Sequence, residues 1–594
     1  MKVSDLAISV LRDTHGVTDI FVVSGSGNIH LLESIRAAHG IRYHCVAHEQ
    51  AAVVAAEGYA RESGRLGIAI VTLGPGAANA LSGVPGAWVD SIPILVIAGQ
   101  VPTGSIADYA IERQRGPQEI NALDMVRPIV KYAARVNAAA DTISQIDLAV
   151  EAAISGRPGP AWLEFPVDIT ALDIDPTECS DTPLPALSQY DDDELLAKAD
   201  LVADAICESR RPLLIAGNGI RASGGYEHFI EAIGTIRIPV VVPFTAKDII
   251  PEDHPCNMGV FGTAGQRRAN FAVQNADLVI GLAAGLNIQK MGPDTTDFAR
   301  NAKKILVDID PQQSQCRVLG VDISICADIS RFLPILQYVM RQREFRVEQD
   351  WIHACNAWKK RYPIITDDYT MQSSEKQMVN SYLFVDALSD MVQEDDTIVT
   401  GVGLDAVSTY QAFRVRRGQR ILISGWGSMG WDIPLAIGAA IARNKRVIVV
   451  TGDGSIQCNL QELLTVQRYD IPLKIFVLNN YGFSTIRAIQ NTLFEGRFTG
   501  SEYLSGIGAL DFRALALTYK MGYTKIDRPY ALGSTIRGFL SDPSPGIAEV
   551  LIHHEQAISP KLSVSRSPDG HRPLEDMAPF LSRDEMDRNI LPAP

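Results

Sequence analysis

The sequence predicts an α/β protein built from three doubly wound parallel-sheet units. Its 594 residues exceed what one core organises, since domains run to about 100–200 residues. Short apolar runs, often β-branched, occupy 68–73, 92–98, 213–216, 278–282, 305–309, 447–451 and 473–478, and such runs read as strands buried on both faces. Most are followed by Gly, Asp or Asn, and helical stretches lie between them. That alternation is the mark of parallel sheets with crossover helices.

In chain order, residues 1–16 mix Asp5, Arg12 and Asp13 with apolar positions and predict an amphipathic helix rather than a signal peptide. A helix over 49–63 separates the first strands. The Pro- and Asp-rich stretch 173–185 closes the first unit, 1–178. A helix over 193–209 and the strands at 213–216, 278–282 and 305–309 build the middle unit, 190–345. A polar helical stretch at 341–362 leads into the third unit, 365–555, with strands at 447–451 and 473–478 and a helix at 460–469. The tail, 556–594, is rich in Ser, Pro, Arg and Asp and predicts surface wrapping or partial disorder. A strand, a Gly-rich turn and a helix recur near 72–78 and 451–455, a theme too short to establish a duplication.

Composition excludes several classes. The net charge of −15, without a long basic run, argues against a nucleic-acid surface. No apolar run reaches the roughly 18 residues of a membrane span, so a cytoplasmic location without membrane contact is expected. The eight cysteines are scattered singly, without the paired spacing of zinc sites or disulfide frameworks.

The strongest local signal is Gly452-Asp453-Gly454-Ser455 at the end of one predicted strand, with Asn479-Asn480-Tyr481-Gly482 at the end of the next. In open α/β sheets, ligands sit beyond the carboxyl ends of strands, where glycines admit phosphate to backbone amides. Asp453, Asn480 and the Gly482 carbonyl offer hard oxygen donors suited to Mg2+, which keeps phosphate oxygens among its ligands. Either tetrapeptide alone reads as a turn; the pair reads as a site.

That pairing resembles thiamine-diphosphate enzymes of the acetolactate synthase-like family, in the pyruvate oxidase and decarboxylase superfamily, over roughly residues 1–555. The resemblance implies a pyrimidine-binding first unit, a middle unit and a diphosphate-binding third unit, with thiamine diphosphate and Mg2+ as cofactors. In Val46-Ala-His-Glu-Gln-Ala52, Glu49 matches the family's catalytic glutamate, which works by acid–base chemistry on the aminopyrimidine ring. Gly74 and Asn79 of Leu73-Gly-Pro-Gly-Ala-Ala-Asn79 match the pyrimidine pocket, and Gln118 of Pro117-Gln-Glu-Ile120 matches a substrate-side catalytic position. In Ser424-Gly-Trp-Gly-Ser-Met-Gly-Trp431 the match implies that the Gly427 carbonyl, Ser428 and Met429 hold the cofactor bent. Taken alone, Met429 reads as core. Because such sites form between two chains, a homodimer or tetramer with its active site at the subunit interface is implied.

In the middle unit, Leu213-Leu-Ile-Ala-Gly-Asn-Gly219 carries a G-x-G that by itself is a weak nucleotide signal. Gly217, Gly219, Asp308 and Asp328 match positions of the family's FAD-binding members, whereas the arginines usual around 284–289 are missing. Either a structural FAD or a unit that keeps only its packing role fits. Ile489 stands where the synthases carry Trp, and Leu404-Asp405 where they carry Gln-His. The closest pattern is that of synthase-like carboligases of modified-sugar biosynthesis, which implies decarboxylation of a 2-oxo acid, pyruvate foremost, and transfer of the two-carbon unit to a ketone acceptor such as a keto nucleotide sugar. His30 and Arg487 are candidates for orienting these small-molecule substrates. Acetolactate synthesis, simple decarboxylation and a silent cofactor-binding scaffold are the alternatives.

Overall fold

The computed structural model describes residues 1–179, 191–316, 318–563 and 572–592. The end of the stretch expected as a linker, from residue 180 on, lies outside them. Three six-stranded parallel sheets follow one another along the chain. The first holds β1 (Asp19–Val22), β2 (Arg42–Cys45), β3 (Gly67–Val71), β4 (Ile94–Gln100), β5 (Tyr132–Arg135) and β6 (Pro160–Pro166), in spatial order 2-1-3-4-6-5. The middle sheet holds β7 (Pro212–Ala216), β8 (Val240–Val242), β9 (Asn257–Val260), β10 (Leu278–Leu282), β11 (Lys303–Asp308) and β12 (Ile323–Cys326). Its order, 12-11-10-7-8-9, is the Rossmann arrangement, with its switch point between β7 and β10.

The third sheet holds β13 (Thr397–Thr400), β14 (Arg420–Leu422), β15 (Val447–Gly452), β16 (Leu473–Asn479), β17 (Gly522–Ile526) and β18 (Gly546–Leu551), in order 14-13-15-16-18-17. This repeats the order of the first sheet strand for strand. The shared theme that the sequence left unresolved is therefore a repeated topology.

The strands β3, β4, β6, β7 and β10 are buried at every residue, because helices cover both faces and leave no polar side to alternate with. Helix Glu49–Ser63, after β2, packs on helix Asp432–Arg443, its counterpart after β14. Their contact faces are Ala- and Gly-rich. A Cβ on Gly58 would overlap the Leu435 carbonyl, and one on Gly438 the Ala55 carbonyl. Only glycine lets the two backbones meet this closely.

Of the two expectations for the tail, its described residues show wrapping, with more regular structure than their composition signals. Lys561–Leu562 pairs antiparallel with Met577–Ala578, and Arg583–Asn589 is a helix capped by Ser582. It packs on helix Arg267–Asn275, which is buried at all nine residues. Arg267 donates to the carbonyls of Met577 and Pro579, Asn270 to Leu574, and Asn275 to Asn589. A polar helix is buried because the tail carbonyls satisfy its donors. Among the described residues, no helix is long and apolar enough to cross a membrane.

Candidate active site

Adjacent parallel strands in register put two loop starts side by side. Gly452 at the end of β15 pairs with Leu478 of β16, so Asp453 and Asn480 leave the sheet together. The Gly482 N–H donates to Asp453 Oδ2 at 2.8 Å. Gly482 has φ +143°, and a Cβ there would overlap the Ser501 carbonyl, so the loop can turn back on Asp453 only with glycine. Asp453, Asn480 and Gly482 line a cleft of about 360 Å³ together with Gly427, Met429, Gly452, Gly454 and Ser455. Ser428 sits within the same segment, its hydroxyl turned to the Met429 carbonyl.

Burial pushes the Asp453 carboxyl up to about 6, against the lowering effect of the Gly482 and Asn480 N–H groups. Taking a carboxylate out of water disfavours its charged form. The donor set of one carboxylate, one amide and one peptide carbonyl suits Mg2+ with phosphate ligands; among the described residues no group of three or more His, Cys, Asp or Glu side chains is arranged to hold a metal ion by itself. Two further buried carboxyls stand at this site. Asp432 accepts from Thr451 and Ser455, each at 2.6 Å, and Ser455 accepts from Gly430 N–H. Asp405 lines the cleft, and burial, reinforced by Asp432, holds it well above the usual carboxylate range. Sequence reasoning noted Asp405 only as a departure from the synthase pattern and missed Asp432. A lone Asp opening the apolar run Ile433-Pro-Leu-Ala-Ile437 was the available signal.

The first unit gathers a second cluster. Glu49 starts its helix half-buried, and its Oε2 accepts from Asn79 at 3.0 Å. A Cβ on Gly76 would stand 3.1 Å from Glu49 Oε1. Gly74, at φ +56°, lies against the Gln118 carbonyl with no room for a Cβ, and Gln118 itself is left-handed at φ +62°. Buried Glu119 fixes this loop, accepting from the N–H groups of Ala107, Arg115 and Gly116 and from Tyr109. His30 is half-buried in the first turn of the helix Ile29–Ala37, just after the turn 25–28, which reaches the same cluster through the Gly27 N–H to Thr72 Oγ1 bond.

The two groups do not share the cleft within one chain: every residue lining it belongs to 402–486. Arg487 is buried beneath the loop. It donates to the carbonyls of Asn480, Tyr481 and His554 and to Asn480 Oδ1, so it ties the loop down instead of presenting a cation to a substrate.

At the switch point of the middle sheet lies a cavity of about 420 Å³ lined by Gly217, Gly219, Asp308 and Asp328. Asp308 accepts from Asp310 N–H, and Asp328 caps the helix Ile329–Arg341. Two cations from outside 284–289 also line this cavity: Lys290, held near 8 by burial, and Arg157 from the first unit, which donates to Ser91 and Asp310.

Comparison with known proteins matches these three units in turn. The family models described as "Thiamine pyrophosphate enzyme, N-terminal TPP binding domain", "central domain" and "C-terminal TPP binding domain" match residues 1–125, 199–336 and 401–550. The acetolactate synthase large subunit of Lactococcus lactis is 31% identical over 94% of each chain. A probable acetolactate synthase large subunit of Methanococcus aeolicus is 31% identical over 86% of each. Acetolactate synthase 1, chloroplastic, of Oryza sativa is 28% identical over 94% of this chain and 86% of its own.

Proposed function

The chain belongs to the thiamine pyrophosphate enzymes of the acetolactate synthase-like family, and from that premise we propose that it decarboxylates a 2-oxo acid, pyruvate foremost, and joins the two-carbon unit to a ketone acceptor. A keto nucleotide sugar is the acceptor we favour. The observation that carries this reading is the changed wall of the cleft. Asp405 and Ile486 line it, and the helix Ser484–Phe494 leaves Ile486 and Ile489 exposed beside it; by the resemblance, Leu404-Asp405 and Ile489 stand where synthases carry Gln-His and the Trp of the pattern that selects a second 2-oxo acid.

Bound thiamine diphosphate supplies the electron sink for the chemistry. The protein's share is positioning and proton control. Asp453, Asn480 and the Gly482 carbonyl are the residues that would hold Mg2+ and with it the diphosphate. Gly427 and Met429 face the same cleft and would orient the rings. Glu49, braced by Asn79, would hold a proton at the aminopyrimidine, with Gly74 shaping that pocket and Gln118 and His30 on the substrate side. Because Glu49 and Asp453 line no common cleft in one chain, a homodimer completes the site from two copies. The Rossmann order, the cavity and its two cations support FAD as a structural ligand of the middle unit.

The test is carbon dioxide release from pyruvate, with thiamine diphosphate and Mg2+, in the presence and absence of a panel of ketones. Release that depends on a ketone supports the reading. Acetolactate formed from pyruvate alone, unaffected by every ketone, overturns it.

A further inference from the structure

Three charged side chains of the first unit lie buried together: Glu57, Arg61 and Asp90, with 0%, 5% and 8% of their side-chain surfaces exposed. Arg61 bridges the two carboxylates, at 2.7 Å from Glu57 and in contact with Asp90. Buried ion groups of this kind contribute little net stability and are costly to leave incomplete, so their retention calls for another reason. Each member also reaches out of its own unit to one short segment of the third. Arg61 Nη1 donates to the Ile423 carbonyl at 3.3 Å, the Gly425 N–H donates to Asp90 at 2.8 Å, and Trp431 Nε1 donates to Glu57 at 3.0 Å.

The local packing is built for these contacts. A Cβ on Gly425 would overlap Asp90 Oδ1, and one on Gly86 would stand 2.8 Å from both Glu57 Oε2 and Trp431 Nε1. At its far end the segment is tied within the third unit, Gly430 N–H to Ser455 and Gly430 carbonyl to Asn459. Between the anchors, Trp426 and Gly427 are exposed, and Gly427 and Met429 face the cleft. A strand of loop held at both ends and open in the middle has the geometry of a clamp whose span is set by its anchors.

We propose that Glu57, Arg61 and Asp90 are positioning residues for this clamp, so that the first unit of a chain sets the grip of that same chain's residues 427–429 on the cofactor rings. The inference rests on reading 427–429 as the ring-holding segment. It assigns the triad a role separate from that of Glu49, which would serve the site completed by the other copy.

The test compares wild type with Asp90→Asn, Glu57→Gln and Trp431→Phe, using cofactor titration followed by tryptophan fluorescence. Inorganic pyrophosphate with Mg2+ is a second probe, since it reaches the metal loop but carries no rings. Loss of one hydrogen bond to a charged group predicts thiamine diphosphate affinity weaker by about tenfold or more. Pyrophosphate affinity should stay within about twofold, and the pyruvate KM at saturating cofactor should not change. Equal weakening of both probes, or unchanged cofactor affinity with only a lower melting temperature, overturns the proposal in favour of plain packing. Met429→Ala separates the premise: if it leaves cofactor affinity unchanged, the clamp reading itself fails, and if it alone weakens binding, only the role of the triad fails. Should Glu57→Gln not fold, Trp431→Phe removes the same bond from the other side.

Discussion

At the scale of single residues, Glu49 and Asp453 carry the sharpest expectations. Glu49→Gln keeps the hydrogen bond to Asn79 but cannot exchange a proton. It should bind cofactor normally and lower turnover by about two to four orders of magnitude, the usual range for a general acid–base group, as read by steady-state carbon dioxide release. For Asp453 the sign of the pH effect follows from burial. Burial raises its pKa from 3.8 to about 6, so it contributes most to stability below about pH 4 and loses that contribution as pH rises through about 6. Metal binding runs the other way, because Mg2+ needs the carboxylate. Cofactor affinity measured by titration should therefore fall as pH drops below about 6. Asp453→Asn should abolish metal-dependent cofactor binding while raising the melting temperature of the apoprotein at neutral pH, a gain of up to roughly 3 kcal/mol by the size of the shift.

Secondary-structure elements act here through close contact and register. Gly58→Ala or Gly438→Ala would push a methyl into a carbonyl at the crossing of the helices Glu49–Ser63 and Asp432–Arg443. Overpacking of this kind costs about 1–3 kcal/mol, and it should appear as a lower melting temperature without a change in substrate KM. The sequence made these helices and their buried strands legible, since apolar runs and Ala-rich periodicity are local signals; the predicted helix at 49–63 is the observed one. It did not make the tail legible. Helix Arg583–Asn589 is polar, and what fixes it is a distant partner: Asn589 accepts from Trp358 and Tyr362 lies against Glu585.

For the whole molecule, the tail and the assembly are decisive. Removing residues 572–594 would strip the carbonyl acceptors from Arg267, leave Asn270 and Asn275 only those of Gly262 and Phe271, and uncover a helix that is buried throughout. Hydrogen exchange in 267–275 should then accelerate by more than about tenfold, since lost hydrogen bonds to a charged group such as Arg267 are worth about 1.5–3 kcal/mol. On the proposal that two copies complete the site, activity depends on assembly. Specific activity should fall on dilution in step with dissociation to monomers, read by sedimentation, because one chain alone leaves Glu49 half-exposed and outside the cleft.

The sequence by itself determined the α/β class, the three-unit layout, the thiamine pyrophosphate family and the loops that carry Asp453 and Asn480, because each rests on runs of adjacent residues. Tertiary structure alone decided which residues meet. It showed the repeated strand order of the first and third units, turned Arg487 from a substrate candidate into the tie beneath its loop, brought Lys290 and Arg157 to the middle cavity, and joined Asp90 to Gly425 across 335 positions. Contacts between distant segments depend on sheet order and helix packing, and neither leaves a local periodicity for a sequence to display.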